Sequence, residues 1–412
     1  MHKPLSIAFI VRDPLPPVRA DLLTLFGAEM PRHGVGSELV GQSGGGDPGQ
    51  WGGGGMHAVG SLGSRYASVM SPAWDLLGLA RAWRRCKPDG IQVRDKIASG
   101  LLGRLAAATL GVPFLYWMSF PIVEGFEARR DEIARRGRGP RWLAHAARAG
   151  ASRWLLYRLV LPGARHVFVQ SEAMADWLAA KGLSRARMTA VPMGVDATLC
   201  ERALIVPSAD PRLDGRRVLL YLGRVAQARG SGFLLDVVEQ LVVDVPDVLL
   251  VIAGDAPSRD EMAWMRAEIA RRGLAERVLL TGWLPRQLAL GYAVRAEVGL
   301  SPIPRGILYD VSSPTKLVEY LALGIPGVAN DIPDQARVLA ESGAGLCVPM
   351  EAPAFAAAVR RLLHEPSLAA ACAARGPGWV RANRSYAILG RAVAQAYAGI
   401  LAGRGEIGRA HV

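Results

Sequence analysis

Residues Ser312–Gln335 read SSPTKLVEYLALGIPGVANDIPDQ. A polar turn opens a helix that carries Lys316 and Glu319 near its start, and Gly324 with Pro326 stops it. An apolar strand follows at once, then a second polar turn at Asn330 and Asp331. Strand alternates with helix, and the charged groups collect at one end. In open parallel sheets that end, beyond the strand C-termini, is where ligands bind. A helix N-terminus there offers unpaired N–H groups and a partial positive charge, both suited to phosphate.

The same rhythm runs through the chain. In the first half, apolar runs predict strands at Leu5–Val11, Gly34–Val40, Gly90–Val93, Pro113–Trp117, His166–Val169 and Met188–Val191. In the second they predict Val218–Leu222, Val248–Ala253, Val278–Thr281, Val298–Ser301, Gly327–Ala329 and Leu346–Val348, with helices between. Such alternation means α/β architecture with two doubly wound domains. The expected division is a first domain over 1–196, a linker over 197–216 and a second domain over 217–384. A helix over 385–402 is expected to pack back on the first domain, ahead of a tail over 403–412. Glu406–Val412 matches a translated sequencing-adapter string and is set aside as foreign to the fold. Gly41–Gly55 has no apolar period and reads as a surface loop. The ligand cleft is expected between the domains.

A chain of 412 residues exceeds one ordinary core, and 50% hydrophobic with 21% charged residues is a globular composition. Cys86, Cys200, Cys347 and Cys372 lie far apart, which excludes a zinc ribbon or a disulfide framework and fits a reducing cytoplasm. The formal charge of +13 suggests an anionic partner. No zinc finger, basic run or aromatic RNA-binding signature accompanies it, so nucleic acid is disfavoured. Only Lys3, Lys87, Lys96, Lys181 and Lys316 among the 49 basic residues are lysine, so Lys316 stands out as a ligand contact against a solvated helix face. The uncharged run Leu105–Val123 is split by Gly111-Val112-Pro113, which argues against a membrane helix. No signal peptide opens the sequence. The arginine-rich stretch Arg129–Arg165, with Trp142, Leu143 and Trp154, reads equally as a helix pair on anionic lipid or as a core-packed pair with a solvated basic face.

Four strand ends of the second half carry polar groups. Gly223-Arg224 ends the first strand, and Arg229 follows at the mouth of the next helix. Two guanidinium groups there suit a diphosphate, the alternative being two solvated arginines. Gly254-Asp255 and Gly282-Trp283 fall at the same sheet edge. Glu319 can accept from two sugar hydroxyls, as acidic residues do for ribose in dinucleotide folds, or be an exposed helix glutamate.

The ordered set YLGR, IAGDAP, LLTGWLP, SPTKLVEYLALGIPGVAND and SGAGLCVP resembles the family-4 retaining glycosyltransferases of the GT-B fold. VFVQSEAMADWLAAKGL and VPMGVD resemble that family's N-terminal domain. The resemblance implies a nucleotide-diphosphate sugar as donor and a glycan or lipid-linked acceptor, with retention of anomeric configuration. Arg224 and Arg229 would neutralise the diphosphate, and Glu319 would hold the ribose. Gly223, Gly254, Asp255, Trp283, Leu284, Ser313, Thr315 and Lys316 would complete the donor site. Arg12, Arg94, Asp95 and Ser119 would lie on the acceptor side. No metal or other cofactor is expected, since no His or D-x-D spacing suits one. The family's earlier glutamate, separated from Glu319 by seven intervening residues, is Val311 here. That departure leaves open a non-catalytic GT-B subunit or a sugar-nucleotide epimerase. The implied place is the cytoplasm, peripheral at the inner face of the plasma membrane, in cell-surface polysaccharide synthesis.

Overall fold

Apolar runs become strands here because the central strands of both sheets are buried along nearly their whole length, as parallel sheets packed between helices are. The computed structural model describes residues 4–45 and 50–402; the expected tail over 403–412 lies outside them. Among the described residues the chain forms two compact units, one running to Pro192 and taking in the helix Tyr386–Ala402, the other Met193–Ser385.

The first unit holds β1 (Leu5–Ile10), β2 (Val35–Ser43), β3 (Met56–Ser61), β4 (Gly90–Arg94), β5 (Phe114–Met118), β6 (His166–Val169) and β7 (Met188–Ala190). They pair in the order β3-β2-β1-β4-β5-β6-β7, all parallel. The second unit holds β8 (Arg217–Leu222), β9 (Val248–Ala253), β10 (Val278–Gly282), β11 (Val298–Ser301), β12 (Gly327–Asn330) and β13 (Gly345–Val348). Their order is β10-β9-β8-β11-β12-β13, again all parallel. Both sheets are therefore doubly wound. The strand order reverses between β1 and β4 in the first and between β8 and β11 in the second, and such reversals open a crevice at the C-terminal edge.

Two local findings differ from the sequence reading. β3 was not anticipated, because MHAVGS lies on an exposed sheet edge and needs no continuous apolar run. Part of the glycine-rich stretch is also no free loop. Trp51 is buried, and its Nε1 donates to the Ser37 carbonyl at 2.9 Å. The helix Pro366–Asn383 runs on through Pro377, where a proline ordinarily ends a helix. It continues because Gly376 packs on the Leu321 carbonyl, where a Cβ would sit 2.4 Å away, so tertiary packing outweighs the proline.

The stretch 197–216 lies on the second unit. Arg202 donates to the carbonyls of Leu323 (3.1 Å) and Val294 (2.7 Å), and Leu213 is buried. The helix Tyr386–Ala402 lays Tyr386, Leu389, Val393, Tyr397 and Leu401 into the first unit's core, against Phe26 and Phe168 among others. The Tyr397 hydroxyl bonds Gln92 of β4, and its ring stacks on Phe168 at 4.6 Å.

Candidate active site

Three strand ends of the second unit are bound edge to edge. Gly223 N donates to the Ala253 carbonyl (3.0 Å), Val225 N to Asp255 O (3.0 Å) and Gly254 N to Gly282 O (3.1 Å). Only hydrogen fits at Gly254, because a Cβ would lie 2.1 Å from the Gly223 carbonyl oxygen. Gly254 thus serves strand-to-strand contact. Asp255 and Trp283 emerge exposed from these ends, Trp283 by 72%, with Leu284 half-buried beside it.

The helix Thr315–Ala322 is docked beneath that edge by one hydroxyl. Tyr320, fully buried, accepts from Leu222 N at 2.7 Å and donates to the Leu300 carbonyl at 3.2 Å, so it ties the helix to β8 and β11. The apolar face of the helix (Leu317, Val318, Leu321) faces the core. Its N-cap is Pro314, with no side-chain cap, so its first N–H groups are left for another acceptor. Tyr320→Phe leaves the Leu222 N–H without its acceptor. We expect a loss of about 1–3 kcal/mol in urea denaturation; an unchanged midpoint would mean water replaces the hydroxyl.

Lys316 and Glu319, one turn apart, reach out from this helix. The Lys316 ammonium lies 4.2 Å from the centroid of the Tyr221 ring, at the end of β8, so it is held in place rather than solvated. Glu319 lies 3.9 Å from Arg286, the first residue of the helix after Pro285. Burial pushes the Glu319 carboxyl up, while Arg286 and Lys316 pull it down less strongly. Arg286 was missed from the sequence; nothing local marks it, because its partner is 33 residues away. Arg224 and Arg229 are exposed, and among the described residues neither guanidinium group has an ion-pair or hydrogen-bond partner; the Arg229 backbone N–H donates to the Ala226 carbonyl at 3.0 Å. The backbone of the Arg229 turn is steadied by Tyr309, whose hydroxyl donates to the Ala228 carbonyl at 3.2 Å.

Two candidates play other parts. The Ser313 side chain is consumed internally: its Oγ accepts from Met193 N (3.0 Å) and donates to Asp334 Oδ2 (2.7 Å), in a buried group with Arg384. Thr315 opens the helix. Val311 is buried, and the neighbouring Asp310 is paired with Arg305 at 2.8 Å, so neither stands in for the missing glutamate. A cavity of about 900 Å³ opens elsewhere, at Leu323, Gly324 and Val380, and includes none of the donor candidates.

In the first unit Arg94 is a structural residue. It is 1% exposed and bonds Asp21 Oδ2 at 2.6 Å, with Asp13 and Asp95 within 4.0 Å. Burial raises the Asp21 carboxyl, but Arg94 and Arg19 outweigh it and hold it at about 2. Asp95 adopts the left-handed conformation (φ 51°), and its carboxylate accepts from Ser119 N (2.9 Å) and Oγ. Burial raises its pKa, with Arg94 the main opposing charge. Arg12 is exposed at the end of β1.

Comparison with known proteins decides the family. Residues 216–365 match the profile "Glycosyl transferases group 1", and residues 23–194 match "Glycosyl transferase 4-like domain". The chain is a family-4 glycosyltransferase of the GT-B fold. It is 25% identical over 330 residues to a 2-deoxystreptamine glucosyltransferase of Streptomyces kanamyceticus, covering 74% of this chain and 79% of the relative. It is 28% identical to a GDP-mannose-dependent α-(1-6)-phosphatidylinositol monomannoside mannosyltransferase of Mycolicibacterium smegmatis, over 58% and 62% of the two chains. The matches span 39% to 79% of the lengths of the first curated relatives. Sucrose-phosphate synthase of Thermosynechococcus elongatus shares the fold, with a TM-score of 0.72, 18% identity, and coverage of 97% of this chain and 100% of that one. Among the described residues no helix is long and apolar enough to cross a membrane.

Proposed function

We propose that this glycosyltransferase moves a hexose from a UDP- or GDP-sugar to a glycan or lipid-linked acceptor, retaining anomeric configuration, in cell-surface polysaccharide assembly. One observation carries the proposal. Arg224 and Arg229 follow β8 with guanidinium groups unpartnered among the described residues, and the uncapped helix Thr315–Ala322 sets Lys316 against Tyr221 at the end of that strand, with Glu319 one turn further along the helix.

Each group has a task there. The guanidinium groups and the helix N–H groups stabilise negative charge as the diphosphate departs. Glu319 accepts from the ribose hydroxyls, and Trp283 with Leu284 borders the base. Attack on the same face as the leaving diphosphate retains configuration and lets a diphosphate oxygen take the acceptor's proton. No metal is needed for this, and EDTA should leave turnover unchanged. The basic helix Pro140–Trp154 bears exposed Leu143 (60%) and Trp154 (58%), which supports peripheral attachment to an anionic inner membrane surface.

The decisive experiment is a panel of UDP- and GDP-sugars, read by thermal shift and by donor hydrolysis or transfer. A cognate nucleotide raises the melting point by mass action. No shift and no turnover across the panel would remove the proposal. Buried Val311, at the place of a family glutamate, favours one second reading: a subunit that binds nucleotide without transfer. A shift without turnover, even with crude lipid acceptor, would select it.

Glu319 also predicts a pH dependence. Its carboxyl is pushed up by burial, so on acidification it takes its proton at a higher pH than an ordinary glutamate. The protonated form accepts poorly from ribose. Nucleotide affinity should be full above that raised pKa and fall as pH drops through it. Titrations across pH should show this, with a flat, weak profile for Glu319→Gln.

A further inference from the structure

The first unit has its own crevice at the β1/β4 reversal, a cavity of about 460 Å³. Arg12 after β1, Gln42 of β2 and Lys96 after β4 line it. Phe126 of the helix Ile122–Arg136 and Arg148 of the basic helix Pro140–Trp154 line it as well. The acidic groups in and beneath this cavity are already spent. Asp75 accepts from Lys96 Nζ (2.9 Å), Ser99 Oγ (2.6 Å) and Gln42 Nε2 (2.8 Å). Asp95 is taken by Ser119. Two cations make no ion pair: among the described residues neither the Arg12 nor the Arg148 guanidinium has a carboxylate within 4.0 Å, and Asp95 acts on Arg12 only at longer range. Arg148 is nonetheless fixed, its guanidinium 4.4 Å from the centroid of the Phe126 ring.

A cavity lined by two guanidinium groups that make no ion pair, together with serine hydroxyls and apolar carbon, suits an anion attached to a polyol ring. Guanidinium forks match phosphate oxygens in pairs. We propose that this crevice binds the acceptor, and that the acceptor carries a phosphate beside its hydroxylated ring, held by Arg12 and Arg148. This rests on the glycosyl-transfer proposal and adds the chemical class of the acceptor. A soluble sugar phosphate and a phosphodiester lipid headgroup share that chemistry.

Calorimetry on the full chain separates them, using glucose, glucosamine, glucose 6-phosphate, and phosphatidylcholine vesicles with or without phosphatidylinositol. We expect a phosphate-bearing probe to bind at least about tenfold more tightly than glucose, with glucosamine weakest and the advantage shrinking in high salt. Binding of glucose 6-phosphate identifies a soluble source, and binding of phosphatidylinositol vesicles alone identifies a lipid. Arg12→Gln and Arg148→Gln should each weaken the preferred phosphate probe about tenfold. Glucose equal to both phosphate probes, or both variants retaining full phosphate affinity, would overturn the proposal. Nucleotide thermal shift on the unaltered protein is scored separately. A shift there combined with indifference to phosphate would reject this acceptor class and leave the donor proposal standing.

Discussion

Asp334→Ala should cost about 3–5 kcal/mol of stability, the loss typical of breaking one side of a buried ion pair. Asp334 and Arg384 are 7% and 5% exposed, and Arg384 Nη2 donates to Asp334 Oδ1 at 2.6 Å. Removing the carboxylate strands a guanidinium in the interior and takes the partner from Ser313 Oγ. The urea midpoint of the second unit reports the loss. A double replacement by apolar residues, Asp334→Leu with Arg384→Met, should recover much of it, because no charge is then left unpaired. A single-variant loss below about 1 kcal/mol would mean that the pair behaves as a solvated surface bridge. Nucleotide affinity should fall as well, since Ser313 fixes the turn leading into the helix Thr315–Ala322.

Arg224→Ala should lower turnover about 10²–10³-fold, the usual cost of removing one donor to developing negative charge. The guanidinium is exposed and has no protein partner to lose, so stability should barely move. The sharper readout is ligand dissection. UDP or GDP affinity should drop, while affinity for the bare nucleoside holds. Arg224→Lys should recover part of the loss, since it restores the charge without the fork. Equal weakening of nucleoside and diphosphate would place Arg224 on the base or ribose instead.

How far the sequence could be read depended on whether a feature was local. The strands of the second unit are short apolar runs, and their pattern located each of them. Lys316 and Glu319 could be placed on one helix from their spacing. Position alone did not say that Ser313 would turn inward, because its partners Met193 and Asp334 are 120 and 21 residues away. Arg94 looked like a site residue at a strand end. Its burial against Asp21, 73 residues distant, makes it part of the scaffold. Arg286 and Arg148 were invisible for the same reason: one is defined by a carboxylate on another helix, the other by an aromatic ring 22 residues back.

The helix Tyr386–Ala402 has a consequence for biosynthesis. It fills a groove beside Phe26 and Phe168, yet it leaves the ribosome only after the whole of Met193–Ser385. At ordinary elongation rates that interval is roughly 10–40 seconds. During it the nascent N-terminal half presents an open greasy trough, a natural substrate for holdase chaperones.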